Sequence, residues 1–527
     1  MPDHITVEDY QPRTVILKLR SEHRTLAAGN AIAHPGLQQM LATYGVEQFG
    51  RKFPRHSAPA ASKQGVRDQR VDLSLIYEWH FRVPVSMEKV LRQLQALDVL
   101  AYAEPKYISR TTFVPNDPRL SEQWHLNVIR AFAGWDISTG SAGVTIAIID
   151  TGIDLAHPDL TGKIRQNLQD PINGVDDDGD GFVDNFFGWN LVDNTNDPSI
   201  TESYHGVHVA GCAAPETNNE RGVAGPGYNS LLLPVKVGND LTVTQGYEGI
   251  VYAADHGADI INCSWGGSGP GEFGQDVVNY ATFNRNALVV AAMGNNGTDR
   301  LFFPASYDNV LAVTATRESD EKAGFANYNF TCDVAAPGQG ILSTFENGGY
   351  DLLSGTSMAT PITAGCAALV KAQYPSLNAL QIGEQLRVTT DNIDAVGGNT
   401  AFAGKLGTGR INLERALSGI NSPSVVLSDE QITDSGNGIF ESGDELEVSA
   451  LFTNYLATTG PLTVTLSSTS PLVNVIAGTI SLPGLGMLEA ADNSNQPFRL
   501  EVLSTEDINQ TVFLRVDITD GTYSSTE

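Results

Sequence analysis

The chain has 527 residues, 41% hydrophobic and 18% charged, with a formal net charge of −29. That length exceeds what one hydrophobic core supports and predicts two to four domains. The composition excludes a disordered chain, and the acid excess excludes nucleic acid as a partner, because that role needs basic surface.

In chain order, the first region is a mildly basic head on a strongly acidic body. Residues 1–115 hold 15 Lys+Arg against 11 Asp+Glu. The opening MPDHITVEDY lacks the basic and apolar regions of a signal peptide. No run in the chain approaches the roughly 18 apolar residues of a membrane span. The head reads as strand (14–19), helix (about 35–43), strand (about 72–83), helix (about 87–97) and a short strand near 99–103, a small α+β unit over 1–110. TTFVPNDPRL (111–120), with two prolines and Asn-Asp, reads as an exposed linker.

From about 116 to 420, short runs that are apolar on both faces alternate with helical patterns. They are VTIAIID (144–150), LLLPVKV (231–237), ADIINCSW (258–265), ALVVAAM (287–293) and VLAVTAT (310–316). Buried parallel strands have this texture, so the region predicts a doubly wound, mostly parallel α/β domain. Over 421–527 helical periodicity disappears and β-formers alternate with turn residues, which predicts an all-β sandwich. The four cysteines, Cys212, Cys263, Cys332 and Cys366, sit among apolar or small residues and read as buried free thiols, with one or two disulfides left open.

Three segments of the central domain carry chemistry. Asp150 ends the strand VTIAIID, at the sheet edge where α/β folds build their sites. HGVHVAG (205–211) offers two histidines three apart, with no Glu between them, so the zinc-protease pattern does not apply. SGTSMATP (354–361) surrounds Ser357 with small residues and leads into a helix-like run, whose N-terminal dipole would face a developing negative charge. Pro361 is expected in the first helical turn. Serine is a poor nucleophile until a histidine accepts its proton, and the imidazolium then needs an oriented carboxylate. Asp150, His205 and Ser357 supply that set, in the order Asp, His, Ser, at intervals of 55 and 152 residues.

The blocks DTGID (150–154), HGVHVAG (205–211) and GTSMATP (355–361) resemble the signatures of subtilisin-like serine proteases, over about 116–420. The resemblance implies an endopeptidase working through an acyl-enzyme, with Asp150, His205 and Ser357 as triad and Asn295, in AAMGNNG (291–297), as a donor to the oxyanion. It implies that Ser264, Trp265 and Gly266 pair with an extended substrate backbone, which would give broad specificity on extended or unfolded protein chains. It also sets LFFP (301–304) at the floor of the primary specificity pocket; Phe302 would make that pocket shallow if it points inward, and is otherwise core. Val207 departs from the Thr usual there, with no expected loss of activity.

Five acids crowd DDDGDGFVD (176–184), and Asp176, Asp178, Asp180 and Asp184 are candidate calcium ligands, in an arrangement like the first half of an EF-hand loop. The closing glutamate is missing, its position being Phe187. A solvated acidic loop is the alternative. By resemblance alone, Asp117 and Asp159 suggest a second calcium site. The runs at 434–438 and 441–444 suggest another. In its βαββαβ reading and its segment VLAYAEP (99–105), the head resembles an inhibitory pro-segment, a partner in cis removed by self-cleavage within 109–116. Such a segment implies export, so a secreted, monomeric zymogen is expected. A calcium-dependent scaffold protein would need a broken triad. A narrow processing protease would need an acidic pair in its pocket, which the pocket segments lack.

Overall fold

The computed structural model describes residues 10–59, 71–108, 114–201, 203–240, 242–434, 439–503 and 512–527. The chain divides into two compact units, Met1–Thr111 and Thr112–Glu527. Most of the expected cleavage region, 109–113, and residues 435–438 of the tail lie outside the described residues.

The first unit runs β1 (Tyr10–Leu19), α1 (Pro35–Tyr44), β2 (Gln48–Arg51), β3 (Ile76–His80), α2 (Met87–Gln95), β4 (Leu100–Tyr107). Its strands form one antiparallel sheet in the order β2-β3-β1-β4. Val15, Leu17 and Leu19 alternate inward along β1, as a half-buried strand requires. Helix α2 is capped by the Ser86 hydroxyl, which accepts from Lys89 N–H, and it buries Met87, Val90, Leu91 and Leu94 on one face.

The second unit is built on a seven-stranded, wholly parallel sheet. Its strands are β5 (Thr145–Asp150), β6 (Trp189–Asn190), β7 (Leu231–Lys236), β8 (Ile260–Cys263), β9 (Leu288–Ala292), β10 (Val310–Thr316) and β11 (Val334–Pro337). They lie in the order β11-β10-β9-β8-β5-β7-β6. All residues of β5, β8, β9 and β10 are buried, because helices cover both faces. Successive strands depart to opposite sides of β5, so the order reverses there, and the crevice of such a sheet opens beyond the strand ends at that point. The doubly wound α/β fold read from the sequence is the observed one.

Two helices begin at this crevice. They are α3 (His205–Ala213) and α4 (Thr356–Gln373), and α4 is buried along nearly its whole length. Pro361 corrects the sequence reading: the helix starts at Thr356, so the proline falls in its second turn. With no N–H there, the Ser357 carbonyl lacks its helical donor. The Ser264 hydroxyl donates to it instead, at 2.9 Å.

The tail is all β. One antiparallel sheet centres on β12 (Glu445–Asn454), and a second holds the strands Leu462–Ser467, Thr479–Leu482, Arg515–Thr519 and Ser524–Thr526. Leu446, Val448, Ala450 and Phe452 alternate inward from β12 to a core shared with Val464, Leu466 and Ile518. The tail belongs to the same compact unit as the parallel sheet. Gln381 Nε2 donates to Tyr455 O at 2.8 Å, and the buried Arg387 donates to Glu384 at 2.8 Å and pairs with Glu527 at 3.2 Å.

Candidate active site

Beyond the strand ends lies a cleft of about 880 Å3, lined among others by Asp150, His205, Ser264, Asn295, Phe302 and Ser357. Each residue arrives from a different element. Asp150 is the last residue of β5, His205 the first of α3, and Ser357 the second of α4. Ser264 follows β8, and Asn295 follows β9.

His205 Nδ1–H donates to Asp150 Oδ1 at 2.8 Å. The same oxygen accepts from Thr151 N–H at 2.8 Å and from the Thr151 hydroxyl at 3.1 Å. His205 N–H in turn donates to the Ser203 hydroxyl, so both ends of the pair are held by buried polar groups. Burial by itself would lower the pKa of His205. The charge of Asp150 and the hydrogen bond to it outweigh burial and hold the imidazole above its ordinary value.

The second histidine of the HGVH run behaves differently. His208 is fully buried, and its Nε2–H faces the carbonyls of Ile341 and Asp351 at 3.1 Å each. Burial pushes its pKa down to about 4, so it stays neutral and fastens α3 to the neighbouring hairpin. Val207 is buried in the core.

The Ser357 hydroxyl donates to the Ser264 carbonyl at 3.1 Å. Ser264 is thus engaged twice with Ser357, through its own carbonyl and through its hydroxyl. Asn295 Oδ1 accepts from Thr356 N–H at 2.8 Å and from the Thr356 hydroxyl at 3.0 Å. These bonds orient the amide so that Nδ2, its only donor, is left for the cleft. A Cβ built on Gly355 would stand 3.4 Å from Asn295 Nδ2 and 3.5 Å from Ser357 N, which brings those two donors to one spot.

Residues 141–409 match the model of the subtilase family. The chain is 38% identical over 337 residues to a thermophilic serine proteinase of Bacillus sp. strain AK1, covering 63% of this chain and 76% of that one. It is 40% identical over 309 residues to thermitase of Thermoactinomyces vulgaris, covering 58% and 99%. A solved protease structure from Pseudoalteromonas arctica superposes with a TM-score of 0.50 at 29% identity, covering 58% of this chain and 99% of that one.

The chain belongs to the subtilase family. It is therefore a serine endopeptidase, as the sequence reading expected.

Thr356, Thr151 and Ser203 hold Asn295, Asp150 and His205 by hydrogen bonds, and sequence reasoning did not single them out. Thr356 and Thr151 lay inside quoted blocks, whereas Ser203 carried no signal. Trp265 lines the cleft and stands edge-on to Tyr247, with ring centroids 5.6 Å apart. Gly266 lines it too, and Gly267 forms an antiparallel bridge with Phe303.

At the acidic loop, Asp176, Asp178 and Asp180 each bring a carboxylate oxygen within 4.8 Å of the others. Asp184 leaves that set. Its backbone is left-handed (φ 60°), and its carboxylate accepts from Asn173 N–H and Gly174 N–H at 2.8 Å. Three hard oxygen donors on a turn suit calcium; in the structure Asp176 accepts from Gly179 and Gly181 N–H, Asp178 from Asn167 Nδ2, and Asp180 Oδ2 lies 2.7 Å from His256 Nε2. In the tail, Asp444 accepts from Glu441 N–H at 2.7 Å and closes a turn. Asp117 and Asp159 are both buried, and burial followed by the nearby Asp159 charge pushes the Asp117 carboxyl up, against its bonds to backbone N–H groups. All four cysteines are free, buried thiols. Among the described residues no helix is long and apolar enough to cross a membrane.

Proposed function

We propose that Ser357, His205 and Asp150 are the catalytic triad of this subtilase, with Asn295 Nδ2 and Ser357 N–H as its oxyanion donors. The observation that carries the reading is the 2.8 Å bond from His205 Nδ1 to Asp150 Oδ1, in one cleft with the Ser357 hydroxyl.

An extended substrate pairs with the Ser264–Gly266 segment and presents a carbonyl carbon to Ser357 Oγ. The hydroxyl turns from the Ser264 carbonyl toward His205 Nε2, which accepts its proton as Oγ attacks. Asp150 holds the ring in the tautomer with Nδ1–H and stabilises the imidazolium that forms. The carbonyl oxygen gains negative charge between Asn295 Nδ2 and Ser357 N, at the N-terminus of α4. The imidazolium returns the proton to the departing amine, leaving an acyl-enzyme. Water then attacks the ester, giving its proton to His205, and Ser357 is released with the proton restored.

The first unit acts as an inhibitory pro-segment, cut away by the enzyme within 109–116; its net +4 favours docking on an acidic partner. Asp176, Asp178 and Asp180 hold a calcium ion, which neutralises the loop and plays no part in bond cleavage. The enzyme is exported and works as a monomer on extended protein chains.

Intact mass of wild type and Ser357→Ala, incubated with calcium, tests the reading. Wild type is expected to shed a head of about 110 residues, matching the proposed unit boundary, while the variant stays whole and leaves casein uncut. A wild type that stays whole and inert toward casein refutes it.

A further inference from the structure

The attacked carbonyl lies at Ser357, with its oxygen toward Asn295. The side chain of that substrate residue must then enter the cleft between the segments after β8 and β9, which carry Ser264 and Asn295. Each segment puts a glycine on the cleft, Gly266 on one and Gly294 on the other. Two facing residues without side chains ordinarily leave a slot deep enough for a ring. Here the slot is filled from within the chain. A Cβ built on Gly266 would fall 2.5 Å from Phe302 Cε1, and one built on Gly294 would fall 3.1 Å from Phe302 Cδ1 and Cγ. The Phe302 ring therefore lies against both walls at once.

The ring cannot retreat with its backbone. Phe302 N–H donates to the Ser306 hydroxyl at 3.1 Å, and Phe302 O accepts from Ser306 N–H at 2.9 Å. The next residue, Phe303, exchanges two 2.8 Å hydrogen bonds with Gly267, which ties the segment to the wall itself. The Ser306 hydroxyl is anchored in turn on Thr331 at 3.0 Å.

Resting on the triad reading above, we infer that Phe302 plugs the subsite for the residue on the acyl side of the cut bond, so that cleavage follows small residues such as glycine, alanine and serine. A methyl fits above the ring, whereas a leucine or phenylalanine side chain would need the volume that the ring occupies. Apolar pockets discriminate by about 10–200-fold per methylene-sized misfit, so an aromatic residue should be disfavoured by at least ~100-fold.

The test uses tetrapeptide p-nitroanilides differing only in the last residue (alanine, leucine or phenylalanine), together with mass-spectrometric mapping of cuts in an unfolded protein. Wild type is expected to show kcat/KM for alanine at least ~100-fold above that for phenylalanine, with mapped cuts following small residues. Phe302→Ala should open the slot and reverse the order. Cleavage after phenylalanine within tenfold of alanine by wild type overturns the inference, as does a folded Phe302→Ala with an unchanged ratio. If that variant does not fold, the wild-type series and cut map decide alone. A wild type that cuts nothing overturns the triad reading, and this inference falls with it.

Discussion

Asn295→Asp isolates the oxyanion donor from everything else that residue does. Asn295 Oδ1 accepts two hydrogen bonds from Thr356, at 2.8 and 3.0 Å, and these fix the start of α4. A carboxylate keeps both bonds and nearly the same shape. It replaces the Nδ2 donor with an oxygen, so the aim is preserved while the sign is reversed. Losing one such donor costs about 3–4 kcal/mol in the transition state. A carboxylate about 3 Å from the oxyanion adds repulsion of up to ~5 kcal/mol at an effective dielectric of about 20. The expected result is a fall in kcat of at least ~10³-fold at neutral pH, with KM little changed, because the charge exists only in the transition state. Because Asn295 is exposed, the unfolding midpoint should hold steady. Steady-state kinetics on a peptide anilide, beside a thermal melt, reads both. A folded variant within tenfold of the wild-type kcat would refute the assignment of Nδ2 to the oxyanion.

Two further perturbations address the pair and the loop. The pKa of His205 is lowered by burial but raised by more through Asp150, and its neutral form is the active one. Activity should therefore fall as pH drops through a value above the ordinary one. In Asp150→Asn only burial remains, so the acid limb of kcat/KM should move to lower pH while the rate falls about 10⁴-fold; a limb that stays in place would count against the pairing. Removing calcium with a chelator should lower the unfolding midpoint by on the order of 5 °C, since saturation at 100-fold over Kd contributes about 2.7 kcal/mol. Asp178→Asn should abolish that dependence, and a melt indifferent to both changes would show that the acidic turn holds no ion.

What could be read from the sequence was whatever the chemistry makes scarce. A buried strand that ends on a carboxylate, a histidine amid glycines and a serine amid small residues have few common causes together, and they converge in one cleft. The residues that aim them were harder to see. Thr356, Thr151 and Ser203 act through single hydroxyl contacts, and a Ser or Thr beside a helix start has the same appearance when it merely caps the helix. Pro361 was misplaced because composition does not say where a helix begins; the Ser264 bond that makes the proline tolerable joins residues 93 positions apart. The short strand β2 belongs to the βαββαβ pattern read for the head, but its residues could not be located in the sequence, because QFGR carries no period to detect.

The remaining ambiguities share a physical cause: they depend on side-chain direction, which backbone detail sets locally. Alternating acids from 176 to 184 predict one cluster only if the backbone keeps its course, and the left-handed turn at Asp184 sends that carboxylate to the amides of Asn173 and Gly174 instead. Phe302 was equally readable as core or as cleft, because neither hydrophobicity nor spacing says which way an aromatic residue in a loop will face. The bridge between Gly267 and Phe303 determines it, by fixing the neighbouring residue to the cleft wall and leaving the ring between Gly266 and Gly294. Two glycines facing each other across a cleft ordinarily leave room for a substrate side chain. In the folded chain the same room accommodates a side chain of the enzyme itself, so a pattern that signals an open pocket is also the condition for plugging one.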